Sequence, residues 1–170
     1  MLPLDILKII FNYLDLENQI NMISSCNYFR NHLFITYLYN IERKYLDNLT
    51  TDILKYSIFS HVVNLDAGDN NKITNVSFMT SLKKLNASYD CGIDQNSIIG
   101  LNLVRLDADY NTKITNVSFM TSLKKLDAWG DCGIDQNGII GLNLVELIAD
   151  YNNKITDVSF MTSLKHQIIE

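Results

Sequence analysis

The side chains able to do covalent chemistry are few and scattered. His32, His61 and His166 occupy unrelated positions, and none stands with Cys26, Cys91 or Cys132 in a triad or metal-ligand pattern. There is no CxxC pair and no phosphate-binding glycine loop. Cys91 and Cys132 follow matching turn positions two units apart in a repeated pattern, about 10 Å at the strand spacing, and a disulfide needs Cα atoms within about 7 Å. They read as small buried residues. Carboxylates occur at Asp107, Asp109, Asp127 and Asp150, but their spacing is that of ordinary turn chemistry rather than of an acid–base pair. Beside them stand the aromatics Tyr89, Tyr110, Trp129 and Tyr151. Aromatic side chains dominate interface hot spots, so recognition rather than catalysis is expected, without metal or cofactor, and Trp129 is the first candidate for a partner contact.

A repeat positions these residues. The stretch KITNVSFMTSLKKL runs from Lys72 to Leu85 and recurs letter for letter from Lys113 to Leu126, and KITDVSFMTSLK opens at Lys154. Leu65, Leu106 and Leu147 are 41 residues apart, and Leu85 and Leu126 divide each interval into 20 and 21. Ile73, Ile93, Ile114, Ile134 and Ile155 keep the same alternation. A fixed period in this range is the sign of a solenoid, whose coils must stack because one coil cannot bury both of its faces. Within a unit, Leu85-x-Ala87 has the period of a short strand with Leu and Ala inward. An Asn or Asp follows at Asn70, Asp90, Asn111, Asp131 and Asn152, where a buried polar side chain would bond backbone groups left unpaired by the turn. The isoleucines, with Phe78, Ile98, Phe119, Ile139 and Phe160, are expected to fill the coil from its far side.

Stacked units align outward side chains in rows about 4.8 Å apart. Asn64, Lys84, Arg105, Lys125 and Glu146 make one row, and Asp66, Asn86, Asp107, Asp127 and Ile148 the next. Two readings stand side by side. One is a solvated sheet face held by weak exposed ion pairs. The other is a partner-binding face made of Lys84, Asn86, Tyr89, Arg105, Asp107, Asp109, Tyr110, Lys125, Asp127, Trp129, Asp150 and Tyr151. The copies Lys72 to Val104 and Lys113 to Val145 differ only at Asn86/Asp127, Ser88/Trp129, Tyr89/Gly130 and Ser97/Gly138, so these letters would carry any choice of partner.

Before the repeats, Leu4, Leu7, Ile10, Phe11 and Leu14 fall at steps of three and four, predicting a helix that starts at Pro3 with Asp5 at its positive end. Further short helices are expected from about Leu16 to Ser24 and Asn27 to Leu33. One or two more are expected between Thr36 and Phe59, joining the modules and covering the first repeat. With 47% hydrophobic and 19% charged residues and one proline, the composition is globular. A formal charge of −5 gives no general attraction to nucleic acid or anionic lipid. No apolar run approaches the roughly 20 residues of a membrane span, and the apolar N-terminus carries Asp5 rather than a basic lead. The expected location is the cytoplasm. Asn48, Asn75 and Asn116 form N-x-S/T sequons that read as ordinary loop or repeat residues.

The pattern L-x-x-L-x-A-x-x-N/D over about Val62 to Leu164 resembles the leucine-rich repeat family, with Ala67, Ala87, Ala108, Ala128 and Ala149 where that family usually has a second Leu. The resemblance implies an α+β chain: a short helical module, then a solenoid with a parallel sheet on its concave face. Leu2-Pro3-x-Asp5-x-Leu7, Ile10-Phe11, Tyr13-Leu14-Asp15 and Cys26-x-x-Phe29-Arg30 resemble an F-box. The implied organisation is an F-box over residues 1–41, a helical connector and cap over 42–61, and repeats over 62–170 with five units and an incomplete last one. F-boxes dock on the Skp-family adaptor of a cullin-RING ubiquitin ligase, and the repeats would hold the protein to be ubiquitylated, so the chain would be no enzyme. Leu2, Pro3, Leu7, Ile10, Phe11 and Leu14 are implied as adaptor contacts or their support. For Leu7, Ile10 and Leu14, core of the module is an equal reading. The alternative function is a repeat binding protein whose helices serve only as a cap. The pattern fails after Leu164, with Gln167 at a Leu position, leaving either a partner to cover the last coil or a truncated copy of a longer protein. The architecture is similar to F-box repeat proteins of large DNA viruses.

Overall fold

The computed structural model describes residues 3–39 and 41–168. Three helices open the chain: α1 (Leu4–Asn12), α2 (Leu16–Ser25) and α3 (Asn27–His32). Pro3 fixes the entry to α1. Asp15 starts α2 by accepting the Asn18 backbone N–H at 2.8 Å, which relieves one of the unpaired donors of the first turn. Gln19 then donates to the Phe11 carbonyl at 3.1 Å, tying α2 to the end of α1. The remainder is a right-through stack of coils: β1 (Tyr37–Leu38), α4 (Arg43–Leu46), α5 (Thr51–Leu54), a 3-10 turn (Ser57–Phe59), β2 (Asn64–Asp66), β3 (Lys84–Asn86), α6 (Gln95–Ile98), β4 (Arg105–Asp107), β5 (Lys125–Asp127), α7 (Gln136–Ile139), β6 (Glu146–Ile148) and β7 (His166–Ile168). Among the described residues, seven strands form one parallel sheet in sequential order. Leu65, Leu85, Leu106, Leu126 and Leu147 stand in register across it.

The 20 and 21 residue intervals are two kinds of coil. Coils leaving β3 and β5 return through α6 and α7, whose N-termini are capped by Asp94 and Asp135. Coils leaving β2, β4 and β6 return through turns without a helix. Neighbouring coils are stitched by one glutamine side chain. Gln95 Oε1 accepts the N–H groups of Thr115 and Asn116 at 2.9 and 2.8 Å, and Gln136 does the same for Thr156 and Asp157. In the first full coil Thr51 Oγ1 takes this place, accepting from Thr74 and Asn75.

Inside the turns runs a buried polar row. Asn70, Asn111 and Asn152 each donate to two carbonyls of the preceding coil, as Asn111 Nδ2 does to Ala87 O at 2.7 Å and Ile93 O at 3.2 Å. Their Oδ1 atoms accept the N–H of Lys72, Lys113 and Lys154. The intermediate coils use Cys91 and Cys132, not Asp90 and Asp131, which the sequence reading placed there and which are exposed. These coils spend one more residue between the strand and the turn, Leu85 to Cys91 against Leu65 to Asn70, so the ladder position moves past the aspartate. Cys91 Sγ lies 3.3 Å from Asn111 Nδ2, and Cys132 Sγ 3.4 Å from Asn152 Nδ2. Burial pushes the Cys132 thiol up to about 11 and raises that of Cys91, leaving both protonated. The next residue must be glycine: a Cβ on Gly133 would stand 2.5 Å from the Thr112 carbonyl oxygen.

Two further corrections concern packing. Phe78, Phe119 and Phe160 do not fill the coil. They are 38, 40 and 38% exposed, and Val76 with Met79 and Val117 with Met120 take the interior, beside Ile73 and Ile114. Ile98 and Ile139 are buried as expected. The segment from Thr36 to Phe59 holds helices but also β1, so the sheet starts before Val62. Val63 N–H reaches the Thr36 carbonyl at 2.8 Å, and Phe11, Leu16, Ile23, Leu33 and Leu38 belong to the same hydrophobic core as the repeats. No described helix is long and apolar enough to cross a membrane. Asn75 and Asn116 use their side chains in turns, accepting the N–H of Ser77 and Ser118.

Removing the Asn111 amide strands the Ile93 carbonyl and the N–H groups of Lys113 and Ile114 inside the turn and leaves Ala87 O only the weaker Cys91 thiol donor. Asn111→Ala is expected to cost about 3 kcal/mol in urea unfolding, against less than about 1 kcal/mol for Asn116→Ala at the exposed turn.

Candidate recognition surfaces

Two surfaces gather the residues singled out by sequence. The first is α1. Leu7 and Phe11 point into the protein and are buried, with Leu4 partly buried against the same core. Pro3 is exposed at the N-cap, Leu14 is half-buried, and Leu2 lies outside the described residues. Ile10 departs from the expected single stripe. It belongs to the opposite face with Ile6, Ile9 and Tyr13, all exposed, at the i, i+3, i+4, i+7 spacing of one helical side. The sequence reading missed Ile6, Ile9 and Tyr13. The helix is apolar on two sides, and a search for one stripe collects only the first.

The second surface is the outer face of the sheet. Lys84 and Lys125 are exposed, while Arg105 is half-buried. Arg105 grips Asp107 two residues on, Nε to Oδ1 at 3.0 Å, and Lys125 pairs with Glu146 on the next strand at 2.5 Å. Half-exposed pairs of this kind contribute little stability. Asn86 is tied to its neighbours, donating to Asp66 Oδ1 at 2.9 Å and accepting from Ser88. Ser88 is itself buried, so of the variable positions after the strands Tyr89 projects from its coil, and Trp129, half-buried, from the equivalent one.

Beyond the strands the parallel ladder continues. Tyr89 N–H donates to Asp109 O, Tyr110 to Trp129 O and Gly130 to Asp150 O, which stacks these residues coil on coil. These donors, with Asp69 and Tyr151 at the matching positions of their coils, share a left-handed backbone: φ is 56° at Asp69, 55° at Tyr89, 54° at Tyr110, 64° at Gly130 and 58° at Tyr151. For a tyrosine this conformation costs on the order of 1 kcal/mol, yet three of five coils accept it. Their rings form a continuous edge with Trp129. Tyr89 to Tyr110 is 5.6 Å between centroids, Tyr110 to Trp129 4.9 Å and edge-on, and Trp129 to Tyr151 5.9 Å and edge-on. The exchange of Ser-Tyr for Trp-Gly between copies is one event in space. A Cβ on Gly130 would meet Tyr110 Cε1 at 2.8 Å, so the aromatic of that coil comes from position 129 instead.

Carboxylates lie beside this edge. Burial, helped by the charges of Asp109 and Asp107, pushes Asp127 up to about 6 against the Trp129 N–H bond that favours its anion. Burial also raises Asp109, whose charge in turn raises the Tyr89 phenol. Asp150 Oδ1 is buried without a hydrogen-bond partner. Among the described residues no group of three or more His, Cys, Asp or Glu side chains could hold a metal ion.

Residues 1–39 match the F-box domain, a domain that binds Skp-family adaptors of cullin-RING ligases. The match takes in α1 to α3 and β1. No curated protein and no solved structure matches the chain.

Two outcomes follow for the sheet face. Gly130→Tyr alone should destabilise by roughly 2 kcal/mol, and adding Trp129→Ser should recover about half of that loss, because the double change rebuilds the Ser88–Tyr89 arrangement. A double-mutant cycle in urea checks it. Asp127 has a folded pKa above the unfolded value near 3.9, so between about pH 4 and 6 the folded state holds the extra proton. Stability from this group therefore falls as pH rises through that window and stays lower above it. Asp127→Asn should gain stability over the wild type from pH 4 to 7, a difference that unfolding curves at several pH values would measure.

Proposed function

We propose that this protein is an interaction adaptor that joins a Skp-family subunit of a cullin-RING ubiquitin ligase, through its N-terminal F-box, to a protein held by its solenoid. The observation that carries the reading is the F-box match over residues 1–39, which supports an adaptor role in such ligases. The exposed side of α1 supports it physically. Ile6, Ile9, Ile10 and Tyr13 form an apolar strip on a helix anchored from its other side by Leu7 and Phe11, and a strip of that kind is stabilised by a partner surface. We read the coils as leucine-rich repeats on their 20 to 21 residue period, parallel sheet and Asn/Cys turn ladder, and their sheet face as the target site. Such a subunit works in the cytoplasm and needs no catalysis of its own. Three unpaired cysteines suit that reducing compartment.

A second reading has its own support. The helices share one hydrophobic core with the coils, as a pure solenoid cap would. Adaptor binding separates the two. Purified chain should bind a Skp-family adaptor in calorimetry, and Ile9→Asp should weaken it at least about tenfold while moving the urea midpoint little. Phe11→Ala is the contrasting change, costing about 3 to 4 kcal/mol of fold stability through the cavity it leaves. A folded wild-type chain that fails to bind the adaptor leaves the cap reading standing.

A further inference from the structure

The edge built from Tyr89, Tyr110, Trp129 and Tyr151 has three properties that together describe an occupant. It is open: Tyr89, Tyr110 and Tyr151 are exposed and Trp129 is half-buried. It is held in a strained backbone, since Gly would serve each of the left-handed tyrosine positions without cost. And it is flanked by anions lacking a matching cation. Among the described residues, Arg105 is taken by Asp107 and Lys125 by Glu146, while Asp109, Asp127 and Asp150 have no ion-pair partner within 4 Å.

We infer that this edge binds an extended, arginine- or lysine-bearing segment of a partner protein, its cationic heads lying over the rings and against Asp109, Asp127 and Asp150. The inference rests on the reading of the sheet face as the target site, and gives that target a chemistry. An aromatic face attracts a cation through its negative quadrupole, more strongly where water is partly excluded. Arginine stacks flat on a ring and still offers N–H donors in the ring plane to a carboxylate. Successive rings stand 4.9 to 5.9 Å apart, and alternate residues of an extended strand are about 6.6 Å apart, so cations at every second position can meet successive rings. An acidic or neutral segment would leave these carboxylates desolvated and unpaired.

Trp129 is the only tryptophan in the chain and reports directly on the site. The full chain is titrated with a nine-residue peptide alternating Arg and Ser, and with its Glu and Ser counterpart, by Trp129 fluorescence and calorimetry. The Arg peptide should bind and quench or shift the emission, and the Glu peptide should not. Asp109→Asn with Asp127→Asn should weaken the Arg peptide about tenfold, at an unchanged urea midpoint or a higher one. Affinity should also fall as pH drops from 7.5 to 5. The charged groups acting on Asp127 are Asp107, which pairs with it in register, with Arg105 and Asp109 of the same preceding coil, while the register neighbour on the following strand is the uncharged Ile148, beside Lys125 and Glu146. Asp127→Asn should flatten the part of the profile centred near 6. Absence of Arg-peptide binding up to about 1 mM, or equal binding of both peptides, overturns the inference. Adaptor binding measured on the same samples separates the two readings. Loss of adaptor binding with the peptide effect intact removes the ligase role alone, and the reverse removes the cationic-target inference alone.

Discussion

The solenoid depends on one constraint, that the chain must turn inside each coil without leaving backbone polar groups dry. Strands of three residues supply few ladder bonds, so the turn interior carries much of the burden. The asparagines meet it by bonding in both directions, downward to two carbonyls of the coil below and inward to the N–H of their own turn. Cysteine in the intermediate coils makes fewer bonds but fills the space under the next asparagine, and glycine after it lets two turns approach to backbone distance. Lys113 and Lys154 cover the Cys91 and Cys132 carbonyls from outside. Once the turn is satisfied, leucine, alanine and isoleucine need only repeat to build a continuous dry interior.

The same turn geometry shapes the outer face of the sheet. Because the chain enters the turn through a left-handed residue, four of the five described coils present that residue's side chain at a fixed place beyond the strand, and the Gly130 coil presents Trp129 instead. Coils can vary that side chain without disturbing the core, which is how Tyr89 and the Trp129-Gly130 pair come to occupy equivalent coils. The price of this freedom is local strain, and neighbouring rings offset part of it by edge contacts of about 0.5 to 1.5 kcal/mol each. The carboxylates beside the rings are half-buried, and that burial is the main physical cause of the raised Asp127 and Asp109.

At the other end, the F-box helices and the first coil are one packing unit. The strand β1 is inside the F-box match and also the edge of the sheet, and Tyr45 of α4 donates to Glu17 of α2 at 2.9 Å. The inner side of α1 is thereby used up in fold stability, and only its outer side is free to meet another molecule. A rigid connection of this kind sets the orientation of the sheet face relative to α1.

Much of this was legible from residue spacing. The period, the inward leucines and alanines, the three N-terminal helices with Asp15 at a turn, and the aromatic letters near Asp109 and Asp150 all follow from local pattern, because a repeating chain puts equivalent residues in equivalent places. What the pattern could not decide was which of two adjacent residues the third dimension would bury. Cys91 displaced Asp90 because one extra residue before the turn shifted the ladder. Val76 and Met79 displaced Phe78 because the coil without a helix is too thin for a ring. Ile10 turned outward because α1 is apolar on both sides and only packing against the following helices selects one. The linear chain determined that coils stack and with what period; contacts between coils decided which side chains line the interior and which are left exposed.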